Sequence, residues 1–177
     1  MYASDAAYAD HDDRKSTEGF LFKLFGGLVD WRAAKQKTVT TSTTEAELLA
    51  ISHGAKDTYW WRRLFTAIGL EIGSASRTLS ILCDNSQTVD ILTKEEPELK
   101  TKLKHVDVHH FWLRQEAQAK RMQIEWVPTS RMPADGLTKA LTRQKHEDFI
   151  KMLGLVDIST KITGTSSRDL WFRMKRI

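Results

Sequence analysis

The sequence predicts an α/β fold: a five-stranded mixed sheet, three strands antiparallel and the later ones parallel, flanked by helices. Three observations lead there. Up to about residue 34, apolar and polar side chains alternate with the two-residue period of strands, interrupted at Gly26-Gly27. Residues 44–70 change to a helical period, with Leu48, Ile51, Ala55 and Tyr59 along one face. Beyond them, short apolar runs alternate with helical stretches, and strands joined through helical crossovers can pair in parallel.

The first strand is YASDAAY, residues 2–8, left through the Asp- and Ser-rich turn ADHDDRKS. EGFLFKLFGGLVDWRAA then reads as a hairpin whose glycine pair supplies the positive φ of the turn. Gly26-Gly27 is given no phosphate-binding role, because a helix should follow such a loop and a strand follows this one. The long helix ends at IGLEIGSAS. RTLSILCDN is a short buried strand, SQTVDILTKEE a helix stopped at Pro97, and residues 103–121 a helix aligning Val106, His110, Leu113 and Ala117. MQIEWVP is the last strand. SRMPADGLTKALTRQKHEDFIKMLGL follows as a loop and one or two helices, with Phe149, Met152 and Leu153 available for packing. One domain is expected over residues 2–155, with residues 156–177 a tail that shows no period.

A chain of 177 residues is long enough for a single core. Its 41% apolar and 28% charged residues exclude the disordered and membrane classes, and no run approaches the ~18 apolar residues of a spanning helix. The start, MYASDAAYADHDDRK, carries aspartates where a secretory leader needs a basic start and an apolar stretch. An intracellular protein with no membrane partner is therefore expected. Cys83 is the only cysteine, which excludes an intrachain disulfide and suits a reducing compartment. The formal charge of +4, with basic residues gathered in WRAAKQK, KTKLKHVDVHHFWLR and TRQKHEDFIK, suits a polyanionic partner without requiring one.

The acids are placed more tellingly. Asp5 lies in the first strand, and Asp84 follows LSIL at the carboxyl end of the fourth, where sites form in open α/β sheets. If those strands are neighbours, a glutamate in the first turn of the long helix meets them, and Asp135 at the start of ADGLTKAL completes a group of four. Acids packed this closely cannot all stay ionised unaided, and carboxylates without a histidine or cysteine cluster suit hard Mg²⁺ or Mn²⁺. Each acid also has a plainer role: Asp5 in a turn, and Asp84 with Asn85, or Asp135, as helix caps. Two glutamates compete for the helix position, since Ser42 with Glu45 and Thr44 with Glu47 both satisfy the capping-box pattern. Glu47 shares its face with Ala50, Ile51 and Gly54, the side expected against the sheet, so Glu45 is assigned to capping and Glu47 to metal.

YASDAAYADHDDRKSTEGFLFKL, WRAAKQKTVTTSTTEAELLAIS, ILCDNSQTV, KHVDVHHFWLR and IEWVPTSRMPADGLTKAL together resemble the ribonuclease H domain of copia-type retrotransposon polyproteins, in order and from about residue 2 to Leu155. The resemblance implies a ribonuclease H-like fold and a metal-dependent endonuclease. It would cut the RNA strand of RNA/DNA hybrids during reverse transcription, leaving 3′-hydroxyl and 5′-phosphate ends. By that likeness Asp5 bridges two Mg²⁺ ions, Asp135 holds the water-activating one, and Glu47 with Asp84 holds the other. Thr43, Thr44 and Asn85 stand where the family contacts the hybrid's minor groove, where the 2′-hydroxyl distinguishes RNA. His105 is placed near the substrate backbone. A reverse transcriptase domain in the same polyprotein is the implied partner, and the chain reads as a piece of such a polyprotein or as a degenerate copy. Two departures are visible: PTSRMPA holds no histidine where cellular ribonucleases H often carry one, and TKEEPELKTKLK replaces the basic handle helix of some relatives.

His105 and His109 are four apart, but Val106 stands where a zinc protease needs glutamate and no third ligand is evident. Cys83 should point away from Asp84 into the core. Trp60-Trp61 reads as packing and groove wall rather than a base-stacking platform. The competing function class is a catalytically silent domain of the same fold that binds or tethers nucleic acid.

Overall fold

In the computed structural model, which describes residues 1–70, 78–94 and 104–158, an open five-stranded sheet runs in the order β3-β2-β1-β4-β5. The strands are β1 (Tyr2–Ala7), β2 (Thr17–Leu24), β3 (Gly27–Lys35), β4 (Leu79–Cys83) and β5 (Met122–Trp126). The helices are α1 (Thr43–Ala67), α2 (Ser86–Thr93), α3 (Lys104–Gln118), α4 (Asp135–Thr138) and α5 (Arg143–Leu153). β1, β2 and β3 pair antiparallel, whereas β4 pairs parallel with β1 and with β5. This is the mixed sheet expected. The tail from residue 159 and most of TKEEPELKTKLK lie outside the described residues.

The hairpin differs from expectation by one residue. Phe25 and Gly26, at φ 50° and 84°, form the turn, and Gly27 already pairs with Leu24 as the first residue of β3. A tight hairpin turn that matches strand twist needs positive φ at both central residues, so the turn closes on the pair that brings Leu24 and Gly27 into register.

The pleat divides the core in two. Tyr2, Phe20, Phe22, Ile81, Cys83, Met122 and Ile124 point to the side covered by α1 and α3, meeting Leu48, Ile51, Ala55, Val106 and Leu113. Ala3 and Leu21 point to the other side, packing with Met132, Ala134 and Leu153 from the C-terminal segment. Cys83 is fully buried on the α1 side, and burial raises its thiol pKa. On α3, Val106, His110 and Leu113 are buried as their spacing foretold.

Two glycines let helices approach the sheet closely. At Gly54 of α1 a Cβ would stand 1.0 Å from the Tyr2 hydroxyl oxygen, so this helix can lie over β1 only where it has no side chain. At Gly19 of β2 a Cβ would stand 2.8 Å from Leu137 Cβ and 2.9 Å from Thr138 Cγ2, so α4 settles onto the opposite face. Gly19 is also the register partner of Asp5. The close approach of α4 is thus made beside the first candidate carboxylate.

Candidate active site

The β1–β4 register pairs Tyr2 with Ile81 and Ala3 with Leu82, and continuing it sets Asp5 opposite Asp84. Both then lie at the carboxyl end of adjacent parallel strands, on the face that α4 covers. Asp135 begins α4. One carboxylate oxygen from each of Asp5, Asp84 and Asp135 lies within 4.8 Å of the others.

Glu47 approaches from α1, across the end of β1. Its Oε1 accepts from the Ala6 backbone N–H at 3.1 Å, and its Oε2 is buried with no hydrogen-bond partner among the described residues. Burial first, then the charges of Asp5 and Asp84, hold its carboxyl pKa well above the ordinary value. Asp5, 2% exposed, is raised by burial and by Asp84 and Asp135, against the Thr138 hydroxyl that donates to it and the charge of Lys139. These are the marks of a group short of positive charge.

Local chemistry separates the capping roles from the clustered ones. Ser42 is the N-cap of α1, its hydroxyl accepting from Glu45 N–H at 3.2 Å. Glu45 reaches back to Thr41, accepting from its N–H at 2.6 Å and its hydroxyl at 2.8 Å, so its carboxylate serves the helix start. Asn85 caps α2 through a bond from Thr88 N–H at 3.0 Å, which leaves the Asp84 side chain for the cluster. Asp84 is steadied instead by the Thr129 hydroxyl at 2.8 Å and, at its backbone carbonyl, by Trp126 Nε1 at 3.0 Å.

The remaining expected residues scatter around this centre. Thr43 is exposed in the first turn of α1, whereas Thr44 is buried with its hydroxyl 3.5 Å from Gln87 Oε1. His105 lies in the first turn of α3, with its side chain outside the described residues. His109 Nδ1 lies 2.6 Å from the Ser52 hydroxyl.

Sequence reasoning missed Thr138, Lys139, Thr129 and Trp126. The Lys139 ammonium donates to Asp135 and lies 3.7 Å from Asp5 Oδ2. Burial works to lower its pKa, but the bond to Asp135 and the charges of Asp5, Asp135 and Asp84 together raise it. A cation belonging to the chain thus stands among the carboxylates. Replacing it, as in Lys139→Met, is expected to lower the metal-free melting temperature by about 2–4 °C, since its head is half exposed and its pairing partly screened. The rise on adding Mg²⁺ should grow, because an ion no longer competes with an ammonium. Melting curves with EDTA and with Mg²⁺ check both; an unchanged metal-induced rise would remove Lys139 from the site.

A pH dependence follows with a definite sign. Asp5 and Glu47 titrate above their ordinary values of 3.8 and 4.5, so the folded chain holds protons that the unfolded chain has released. Stability from these groups is present in mild acid and lost as pH rises through their folded values. Glu116, lowered chiefly by its paired bonds from Arg121 at 2.7 and 2.8 Å, acts the other way and only below its ordinary 4.5. His110, lowered from 6.5 by burial, also acts the other way, so the readout is the gain in melting temperature on adding saturating Mg²⁺, in which its contribution cancels; that gain should grow from about pH 4.5 towards pH 7.

No family model matches the chain. Relatives do. It is 32% identical over 146 residues, 82% of its length, to the retrovirus-related Pol polyprotein from transposon TNT 1-94 of Nicotiana tabacum. It spans 10% of that relative's length. Among solved structures it resembles LC11-RNase H1, isolated from compost, with a TM-score of 0.57 at 14% identity over 86% of this chain and 96% of that one. It also resembles the crystal structure of LC11-RNase H1 in complex with an RNA/DNA hybrid, with a TM-score of 0.53 at 14% identity over 77% of this chain and 91% of that one. Structures so distant in sequence show the fold, and the polyprotein likeness shows the lineage. The chain belongs with the ribonuclease H domains of copia-type retrotransposon polyproteins.

Proposed function

We propose that the chain is a ribonuclease H, a metal-dependent endonuclease that cuts the RNA strand of an RNA/DNA hybrid and leaves 5′-phosphate and 3′-hydroxyl ends. The observation that carries this reading is the meeting of Asp5, Asp84 and Asp135, three oxygens within 4.8 Å, with Glu47 bonded to the backbone one residue beyond Asp5. The residues fit hard divalent ions: the donors are all carboxylates, a buried Glu47 oxygen has no partner among the described residues, and the chain's own ammonium already stands among them. Asp5, Glu47, Asp84 and Asp135 would hold two Mg²⁺ ions, for which Mn²⁺ can substitute. When bound, they supply an activated water and stabilise the leaving oxygen of an in-line displacement.

The chain's residues supply position. Thr138 and the close seat of α4 hold Asp5, Ala6 N–H holds Glu47, and Thr129 holds Asp84. Thr43, exposed at the start of α1, and Asn85, beside Asp84, would meet the minor groove together with the buried Thr44, and the family likeness assigns His105 to the substrate backbone. A protein that hydrogen-bonds the 2′-hydroxyl there chooses the RNA strand. The fold shared with a protein solved on an RNA/DNA hybrid supports that substrate. Polyprotein relatives support a reverse transcriptase domain as neighbour and an intracellular place of action. Among the described residues no helix is long and apolar enough to cross a membrane.

The test is incubation with labelled RNA/DNA hybrid, RNA duplex and DNA duplex, with Mg²⁺ and with EDTA. Cleavage confined to the hybrid's RNA strand and to the Mg²⁺ lanes is expected. Hybrid binding without cleavage at any Mg²⁺ concentration would favour the silent domain instead.

A further inference from the structure

A cleft of about 400 Å³ opens between β3, the segment entering α1, and helices α1 and α3, and two histidines from different helices meet in its wall. His53 of α1 and His109 of α3 stand with ring centres 5.7 Å apart and ring planes at 82°. An ion bound at about 2.0–2.1 Å by one nitrogen of each ring needs centres roughly 6 Å apart or less, so the two imidazoles already lie within the span of a shared ion. Each ring is held by the protein through Nδ1. That of His53 donates to the Glu18 carboxylate at 2.8 and 3.0 Å, and that of His109 lies 2.6 Å from the Ser52 hydroxyl. A metal-binding histidine is normally fixed in this way, by an outer partner on one nitrogen that sets the tautomer and aims the other. Asp57 lines the same cleft one turn beyond His53, a spacing that puts both on one face of α1.

From this arrangement we infer that the cleft holds a second metal site, one for a zinc-type ion, with Nε2 of His53, Nε2 of His109 and a carboxylate oxygen of Asp57 as ligands and water in the fourth position. Two imidazoles and one carboxylate suit Zn²⁺, whereas the all-carboxylate cluster suits Mg²⁺, so ligand type sorts the ions between the two places. Basic residues also line the cleft, and the site has to be favourable in spite of them. The Lys35 ammonium is drawn to Asp13 at 2.8 Å, and the Lys56 ammonium rests 5.8 Å from the centre of the Trp112 ring. Arg32 and Lys37 then face the acids Glu18 and Asp57, and Glu18, 3% exposed, places a buried counter-charge directly behind the His53 ring. A bound ion joins α1 to α3 and, through Glu18, to β2. None of its ligands belongs to the carboxylate cluster or to the residues assigned to the hybrid, so the site stands apart from the nuclease reading.

The test is calorimetric titration of Zn²⁺ into the whole chain at about pH 7.5, where an ordinary imidazole is mostly neutral, with Mg²⁺ in excess to fill the carboxylates. One Zn²⁺ per chain is expected, with a rise in melting temperature, and Co²⁺ in its place should give the intense visible absorption of a four-coordinate ion. His53→Gln and His109→Gln should each weaken Zn²⁺ binding by about a hundredfold or more, and Ser52→Ala, which only loosens the His109 ring, by about tenfold. The glutamine amide can still donate to Glu18, so His53→Gln should fold, and metal-free melting curves check every variant. His146→Gln, at an exposed histidine of α5, and Asp84→Asn should leave the affinity unchanged. No Zn²⁺ binding by the parent, or binding unchanged in either His53→Gln or His109→Gln, would overturn the site. Loss in His146→Gln or Asp84→Asn would overturn it as well, by placing the ion elsewhere. Hybrid cleavage is read separately with Mg²⁺ alone, and its absence would sink the nuclease reading without touching this one.

Discussion

Asp84→Asn is expected to reduce Mg²⁺-dependent cleavage of RNA/DNA hybrid by roughly a thousandfold or more, the scale of loss when one member of a constellation acting as a unit is removed. The substitution is nearly isosteric. The backbone carbonyl that receives Trp126 Nε1 is untouched, and the amide oxygen can still accept from Thr129. What disappears is a negative charge next to Asp5 and Glu47, both of which that charge pushes towards protonation. The metal-free variant should therefore melt no lower than the parent, while its gain on adding Mg²⁺ shrinks. Asp90→Asn is the control, an exposed carboxylate on α2 paired with Lys94, and its rate should stay within about twofold of the parent. Cleavage that persists unchanged in Asp84→Asn would eliminate the mechanism.

The second large effect is on folding. Gly54→Ala should destabilise the chain by roughly 3 kcal/mol or more, at the upper end for overpacking, because the added carbon meets a fully buried ring and not a yielding surface. Its Cβ would lie 1.0 Å from the Tyr2 hydroxyl oxygen and 2.0 Å from Cζ, and Tyr2 is packed against Phe20 with ring centres 5.7 Å apart. Either α1 lifts off β1 or the ring leaves its place. Both move Glu47, two turns back along the same helix, so activity should fall with stability. Tyr2→Phe in the same chain should recover part of the loss, since it removes the nearest atom but not Cζ, and a double-mutant cycle by chemical denaturation measures that coupling. Simple additivity would place the strain elsewhere.

Much of the sheet was legible because its signals are local. Alternation marks β1 to β3, apolar runs mark β4 and β5, and the spacing of Leu48, Ile51 and Ala55 marks the buried face of α1. Ser42 and Asn85 were readable as candidate helix starts, but Thr44 with Glu47 and Asp84 itself fitted the same role, and the caps are seen to be Ser42 and Asn85 only in the folded chain. The hairpin turn was off by one because two adjacent glycines look equally suited to positive φ, and only the register shows that Phe25 takes one of those positions. The support around the acids was not legible. Thr138 and Lys139 reach Asp5 because Gly19, its partner across β2, lets α4 sit against the sheet, a consequence of pairing between residues more than a hundred positions apart. Thr129 and Trp126 meet Asp84 only once β5 lies beside β4.

The most direct measurement is a crystal of the chain soaked in Mn²⁺ and read by anomalous scattering. Two peaks are expected, both against Asp5, one shared with Asp135 and the other with Glu47 and Asp84, with the Lys139 ammonium displaced. A map with no peak at these carboxylates under saturating Mn²⁺, or with manganese held only elsewhere on the surface, would contradict the claim that they form a metal site.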